Sequence, residues 1–364
     1  MRTYLDWNAT APPLEAVIDA GARASREQWG NPQSVHAHGR AARAVVEDAR
    51  AAVAELAHAD ARDVIFTSGG TEANNLAIRS FHAERGGVLL TSKIEHPSVT
   101  RLSEIMETRW LALLPDGRID LCQLEQELAR SGDVAVVALQ AVNQETGVIQ
   151  PLREAIALAH AYGARVHVDA IQAWGKIEET GQGADSRSLA AHKIRGPKGI
   201  GALILGCGTK LAPLLLGGGQ ERGMRPGTMD AALSAGLAVC ARHAKDGPAR
   251  YAKLAPLRDE LERHLEALGG ASNGKGAPRA PHVISMAFEG WDGAELVAAL
   301  DLEGVSISSG SACAAGTMEP STVISQLFGE ARARSSVRIS MGETTTREDV
   351  AFAKEAFARV LSRR

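Results

Sequence analysis

"VAVVALQAVNQETGVIQPLREAIALAHAYGARVHVDA", residues 134–170, holds two kinds of pattern in one stretch. Residues 134–140 form an apolar run without polar alternation, as does most of "RVHVDA" at 165–170. A strand with that texture is buried on both faces. Between them "LREAIALAHAYG" (152–163) has helical period and ends on Gly163, a residue suited to a helix C-terminus. The unit reads strand, helix, strand.

The same reading extends in both directions. "DVIFT" (63–67), "GVLLTS" (87–92) and "GALILG" (201–206) are further short apolar runs, and "HGRAARAVVEDARAAVAELA" (38–57) is a long helical pattern. Such alternation predicts an α/β domain built on a mostly parallel sheet covered on both sides. After about residue 245 the texture changes. A helical segment near "YAKLAPLRDELERHLEAL" leads into a Gly, Ala and Pro-rich loop (270–281), then "HVISMAF", then a polar-capped helix beginning near "TTTREDVAFAKEAF". We expect a large domain over 15–245 and a smaller α+β domain from 1–14 and 246–364.

The chain has 364 residues, with 40 Lys and Arg against 43 Asp and Glu, a formal charge of -3. That balance supplies no global field for nucleic acid or an anionic membrane, so neither is expected as a partner. Cys122, Cys207, Cys240 and Cys313 are far apart and form no C-x-x-C pair, which argues against structural disulfides and a metal site. The opening "MRTYLDWNATAPP" lacks a signal-peptide pattern, and no apolar run approaches a membrane span. The expectation is a reduced, cytoplasmic protein.

In open parallel sheets ligands bind beyond the carboxyl ends of the strands. "VIFTSGGTEANNLAI" is a strand, then Gly69-Gly70-Thr71, then a helical pattern; free N–H groups there suit a phosphate, and an ordinary capped turn reads the same way. Asp169 ends a strand with Gln172 three residues on; it either pairs with a protonated ring nitrogen or caps a helix. His96 in "SKIEHPSV" follows a strand too and either stacks and shuttles protons or is structural. "SLAAHKIRGPKGIGALIL" (188–205) sets His192 and Lys193 among small residues beside a strand, where a lysine with a lowered pKa becomes a nucleophile or holds a Schiff base.

Cys313, in the small-residue run "SISSGSACAAGTMEPS", is the best nucleophile candidate among the cysteines; the other three default to packing. "GGGQERGMRPGT" (217–228), with Arg222, Arg225 and Thr228, suits an anion-facing loop, a subunit contact or a solvated turn. Arg338 in "SSVRIS" either binds a substrate carboxylate or forms a structural ion pair.

Taken in order, "YLDWNAT", "GNPQSVHAHG", "FTSGGTEANN", "EHPSV", "HVDAIQAWGK", "HKIRGPKGIG", "GGGQERGMRPGT", "SSGSACAAGTMEPS" and "VRIS" resemble the cysteine desulfurases of the NifS/IscS type, within the class V aminotransferase family of pyridoxal-phosphate enzymes. The resemblance spans essentially the whole chain. It implies a fold-type I pyridoxal-phosphate-dependent transferase that converts L-cysteine to L-alanine. Lys193 would hold the cofactor in Schiff-base linkage, with His192 contributing to its site. Asp169 would hold the ring nitrogen, Gln172 and Gln144 would meet its ring oxygen, and His96 would stack on its face and move protons. Gly70 and Thr71 would take the phosphate, joined by Thr228 of the partner subunit of a homodimer. Arg338, with Asn143, would bind the substrate, and Cys313 would take its sulfur as a persulfide for an iron–sulfur scaffold or other sulfur-acceptor protein.

Four positions depart from the family pattern. Gln144 stands where asparagine is common, Ala190 where a phosphate-binding serine is usual, Gln220 where histidine stands and Pro226 where serine stands. Two other readings compete: a related lyase or aminotransferase such as a selenocysteine lyase, which needs no loop thiol, and a degenerate paralogue that binds a sulfur-assembly partner without turnover.

Overall fold

The computed structural model describes residues 2–310 and 320–363. Its main sheet has seven strands in the order Val64–Thr67, Gly201–Leu205, Ser186–Ala190, Arg165–Asp169, Val134–Gln140, Val88–Ser92, Thr108–Leu111. Gly201–Leu205 runs antiparallel to both neighbours, and the other pairings are parallel. The strand–helix–strand unit over 134–170 folds as expected. Val134–Gln140 and Arg165–Asp169 pair in parallel, with Gln140 opposite Asp169, and the connecting helix runs Leu152–Ala161. Gly163 takes φ +75° just beyond that helix, and the Ala164 N–H reaches back to the Ala159 carbonyl.

Both faces of this sheet are covered, which explains the unalternated apolar strands. Val64, Phe66, Leu90, Val137, Leu139, Val166 and Val168 belong to one core, while Ile65, Leu89, Val136, Ala138, Leu203 and Leu205 belong to another. Successive residues of a strand point to opposite faces, so a strand between two helical layers must be apolar at every position. Each of the larger side chains among them, all but Ala138, contributes about 1.5–3 kcal/mol by leaving water. Helices Glu15–Glu27, Ala37–Ala57 and Ala231–Ala244 pack together on the side of the larger core.

Two strands of this sheet are absent from the sequence reading. Ser186–Ala190 ("SRSLA") is buried throughout despite its polar residues, because Ser186 bonds to His167 and Arg187 lies over Trp174 while donating to the Ala57 carbonyl. Thr108–Leu111 is a half-buried edge strand.

A third core gathers Leu5, Tyr251, Leu261, Ile284, Met286, Ile339 and Phe357. Its antiparallel sheet has the order Ser336–Ser340, Val283–Phe288, Gly270–Ser272. The N-terminal strand Thr3–Tyr4 pairs with Val305–Ser306, and Asp6 bridges to Ser340. The helix Arg347–Leu361 starts on a capping box between Thr346 and Asp349. Glu343 ties this core to the helices of the larger one, accepting from His243 Nε2 at 2.6 Å, Arg250 at 3.3 Å and Arg195 at 3.5 Å.

Candidate active site

Thr67, Ser92, Gln140, Asp169 and Ala190 end five strands at one edge of the large sheet, and the turns just beyond these strand ends form the site. After Thr67 the chain turns through Gly69 into the helix Gly70–Arg85. A Cβ on Gly70 would sit 2.0 Å from Ile171 Cδ1, so any larger residue there must push the end of the Ile171 side chain aside. Thr71 is exposed in the first turn, where the helix leaves N–H groups unpaired.

After Ser92 comes a short turn in which His96 caps the next helix, its Nδ1 accepting from the Ser98 N–H at 3.1 Å. Beside it Glu95 is buried, with one oxygen accepting from Ser92 Oγ at 2.7 Å and the other unpartnered among the described residues. Burial pushes its carboxyl up to about 8, the nearby Asp169 charge adding to the effect. Asp169 is buried at its strand end and accepts from Asn74 Nδ2 at 2.8 Å and the Ile171 N–H at 3.1 Å. Ser188, in register with Asp169 on the adjacent strand, keeps a buried hydroxyl with no partner among the described residues.

Lys193 sits at the end of a single helical turn after Ala190 and is half-buried, whereas Lys198 is exposed. Its Nζ donates to the carbonyls of Asn8 at 2.6 Å and Ala9 at 2.8 Å. His192 meets Thr10 Oγ1 at 3.2 Å; burial, with the Lys193 charge behind it, lowers its pKa to about 4. The imidazole is therefore neutral near pH 7.

Asn8 is the hub that the sequence reading passed over within "YLDWNAT". Its carbonyl accepts from Lys193 and from Gln172 Nε2, its Nδ2 donates to the Gln144 carbonyl at 3.1 Å, and its Oδ1 meets His282 Nε2 at 3.0 Å. Gln172 Oε1 in turn accepts from Lys176 Nζ at 2.6 Å. Lys176 is 2% exposed. Burial, reinforced by the charges of Lys193 and Arg338, holds its amine well below the usual lysine range.

Arg338 is 2% exposed. Its Nη1 donates to the carbonyls of Gln144 and Gly310, its Nη2 lies 2.7 Å from Asp6 Oδ1, and its Nε is buried without a partner among the described residues. An unmet donor on a guanidinium edge is what an arriving carboxylate would satisfy. The ion pair of the structural alternative is thus present, and the Nε stays without a partner among the described residues. Just outside, Glu145 is fully buried and accepts from the Ser321 hydroxyl; burial raises its pKa.

Several expected contacts are placed differently. Asn143, expected at the substrate, is fully buried: its Nδ2 donates to the Ile94 carbonyl at 3.1 Å and its Oδ1 accepts from the Glu145 N–H, the Thr146 N–H and Thr146 Oγ1. Its side chain builds the turn that presents half-buried Gln144. Arg225, read as anion-facing, is committed to Glu72 at 2.8 Å, and Arg222 to the Val64 carbonyl at 3.2 Å; Thr228 is exposed on the same loop. Cys122 and Cys207 are exposed rather than packed, while Cys240 is buried and burial pushes its thiol up to about 12. Cys313 lies outside the described residues.

These groups fit the expected cofactor. A buried carboxylate beside the Ser188 hydroxyl, which has no partner among the described residues, suits a ring nitrogen, a half-buried amine suits a carbonyl carbon, and a helix start opened by two glycines suits a phosphate. Asn74, His167 and Lys176 complete the set that sequence reading missed. His167 stands two residues before Asp169 on one strand, and Asn74 one helical turn after Thr71, spacings that put each on the site's face.

The aminotransferase class-V family model matches residues 3–352. A cysteine desulfurase of Cereibacter sphaeroides is 39% identical, covering 96% of this chain and 93% of that protein. The cysteine desulfurase IscS of Dictyoglomus turgidum is 34% identical, covering 99% of this chain and 94% of that one. The X-ray structure of a NifS-like protein from Rickettsia africae superposes with a TM-score of 0.91 at 29% identity, each chain covered in full.

Proposed function

Since the chain belongs to the aminotransferase class-V family, whose cofactor is pyridoxal phosphate, we propose that it is a cysteine desulfurase that converts L-cysteine to L-alanine. The observation that carries this reading is the convergence of Asp169, His96 and Lys193 on one sheet edge, beside the glycine-bounded helix start and the buried Arg338 guanidinium, whose Nε has no partner among the described residues. When bound, the cofactor supplies an electron sink for the substrate's Cα. The protein's residues do the rest. Asp169 would hold a positive charge at the ring, Lys193 and His96 would carry protons to and from the substrate carbons, and Arg338 would anchor the carboxylate. Gly70 and Thr71 would receive the phosphate, Gln172 and Gln144 would meet the ring oxygen, and His192 stays neutral beside Lys193.

In the sulfur step the Cys313 thiolate attacks the substrate sulfur. An S–S bond forms, the Cβ–S bond breaks with its electron pair going to carbon, and a proton fills that position. L-Cysteine plus the enzyme thiol thus gives L-alanine plus a persulfide, with no external oxidant. The persulfide passes to a sulfur-acceptor or iron–sulfur scaffold protein in a reducing, cytoplasmic setting. No helix among the described residues is long and apolar enough to cross a membrane.

The working unit in this proposal is a homodimer. Trp29, Val35, Leu215 and Leu216 are large apolar residues with exposures of 67, 86, 60 and 94%. They flank the contact between Gln220 Nε2 and Gln33 Oε1 at 3.0 Å. A second copy covering this face is the occupant we assign, with Thr228 reaching the neighbouring phosphate site. We also take 15–245 as the large domain and 1–14 with 246–364 as the small one.

Sulfide release under reductant, measured beside alanine production, tests the activity. Cys313→Ser should still give a spectral change on adding L-cysteine to cofactor-loaded protein, yet release no sulfide. Wild-type turnover by that variant, or no alanine from the wild type, defeats the reading. Light scattering checks the dimer: an active monomer would exclude it.

A further inference from the structure

Asn74 lies in the helix Gly70–Arg85, is fully buried, and uses every polar atom of its side chain. Its Nδ2 donates to Asp169 Oδ2 and to Ser98 Oγ, both at 2.8 Å, and its Oδ1 meets His167 Nε2 at 2.9 Å. His167 is itself fully buried, with Nδ1 2.8 Å from Ser186 Oγ. The Ser98 hydroxyl is 2.8 Å from His96 Nδ1. One amide therefore connects the carboxylate at the end of one strand to the imidazole beyond the end of another.

The direction of each bond follows from donor and acceptor counting. If the Asn74 amide were reversed, its oxygen would face the Asp169 carboxylate, two acceptors without a proton. With Nδ2 on Asp169, the Asn74 oxygen needs a donor, so His167 carries its proton on Nε2 and accepts from the Ser186 hydroxyl at Nδ1. Burial lowers the His167 pKa to about 3, so this arrangement persists across the working pH range. Ser98 Oγ accepts from Asn74, which leaves its own proton for His96 Nδ1, where the Ser98 N–H also points at 3.1 Å. Neutral His96 then bears its proton on Nε2.

We propose that Asn74 is a positioning residue that aims Asp169 and, through Ser98, sets the tautomer of His96, so that both groups address one ligand together. The inference rests on the functional reading above for the identity of that ligand.

Two measurements test it. In cofactor-free protein, 15N shifts of labelled histidine should report His96 as the Nε2–H tautomer. Ser98→Ala, a mild truncation, and Asn74→Ala should each raise the share of the Nδ1–H form, against the Ser98 backbone N–H that still favours the Nε2–H tautomer. In the second measurement pyridoxal phosphate is titrated into the apoprotein. Asn74→Ala should bind roughly tenfold or more weakly, and Ser98→Ala should lose less, because it cuts only the His96 branch. An unchanged His96 tautomer in both variants overturns the proposal, as does wild-type affinity in a folded Asn74→Ala protein. If the wild type itself fails to bind pyridoxal phosphate, the functional reading fails, and the tautomer measurement still decides the Asn74 assignment.

Discussion

Arg338 and Asp6 meet at 2.7 Å, Nη2 to Oδ1, although 332 residues separate them in the chain. Arg338 is 2% exposed, and its Nε has no partner among the described residues. A substrate carboxylate must share the guanidinium with Asp6, two negative groups on one positive charge. Asp6→Asn should therefore lower the KM for L-cysteine roughly three- to tenfold, about 1 kcal/mol of removed repulsion. Arg338→Lys, which loses the planar fork, should raise KM with a smaller change in kcat. Steady-state kinetics with both variants checks the signs; a higher KM in Asp6→Asn rejects the shared-carboxylate account.

Lys176 contributes through Gln172. Its one hydrogen bond among the described residues goes to Gln172 Oε1, which leaves the Gln172 amide N–H directed at the Asn8 carbonyl that also holds Lys193. Lys176→Met retains most of the apolar bulk and removes a buried amine with a single acceptor. Thermal stability should hold or rise, since burial disfavours the charged form, whereas kcat should fall roughly fivefold, matching about 1 kcal/mol for a lost positioning bond. A variant with full kcat would show that Gln172 orients itself without help.

How much of this is legible in the sequence depends on where each residue's partners lie. Asp169, His96 and Lys193 stand out because a polar residue directly after an apolar run marks a strand end, a local signal. Asn74, His167 and Lys176 give no such signal. Each is polar and buried only because a residue about 90 positions away, or an amide across the turn, completes its hydrogen bonds. Ser186–Ala190 escapes as a strand for the same reason, as Ser186 and Arg187 are satisfied by His167 and the Ala57 carbonyl rather than by water. Asn143 carries the right motif but a different role, since its side chain closes its own turn.

Ala190 lies next to the phosphate turn: a Cβ on Gly70 would be 3.7 Å from the Ala190 methyl. A serine hydroxyl there would add one donor to a group bearing close to two negative charges. Hydrogen bonds to charged groups contribute about 1.5–3 kcal/mol, so Ala190→Ser should tighten pyridoxal phosphate binding by roughly tenfold or more. Equilibrium titration of the two apoproteins measures it, and equal affinities would mean that backbone N–H groups already saturate the phosphate.

Glu95 makes stability depend on pH in a stated direction. Its folded pKa is about 8 against an ordinary 4.5. Between those values the folded protein holds a proton that the unfolded chain has released, so this group's contribution is fully present below pH 4.5 and is lost as pH rises toward and through 8. The loss is on the order of a few kcal/mol. Glu95→Gln mimics the neutral acid, keeps an acceptor for Ser92 Oγ, and does not titrate. Denaturant midpoints of the two proteins should diverge in favour of the variant as pH rises from about 5 to about 9. Parallel curves would mean that Glu95 is charged in the folded state.

Gly342 lies against Trp7, and the contact leads straight to the site. A Cβ on Gly342 would fall 1.8–2.1 Å from three carbons of the indole, far inside contact distance. Trp7 is 2% exposed, with the Arg195 guanidinium 5.6 Å above its ring, so it has no free direction in which to yield. Asn8 follows Trp7 directly and supplies the carbonyl on which Lys193 and Gln172 converge. Gly342→Ala should therefore cost about 1–3 kcal/mol by overpacking and should also weaken pyridoxal phosphate binding by displacing Asn8. Trp7→Phe vacates the volume that the new methyl needs. In a double-mutant cycle the pair should recover roughly 0.5–3 kcal/mol relative to the sum of the single changes, as contacting residues do. Strict additivity would place the cost of Gly342→Ala somewhere other than the indole and break the proposed link from this glycine to Lys193.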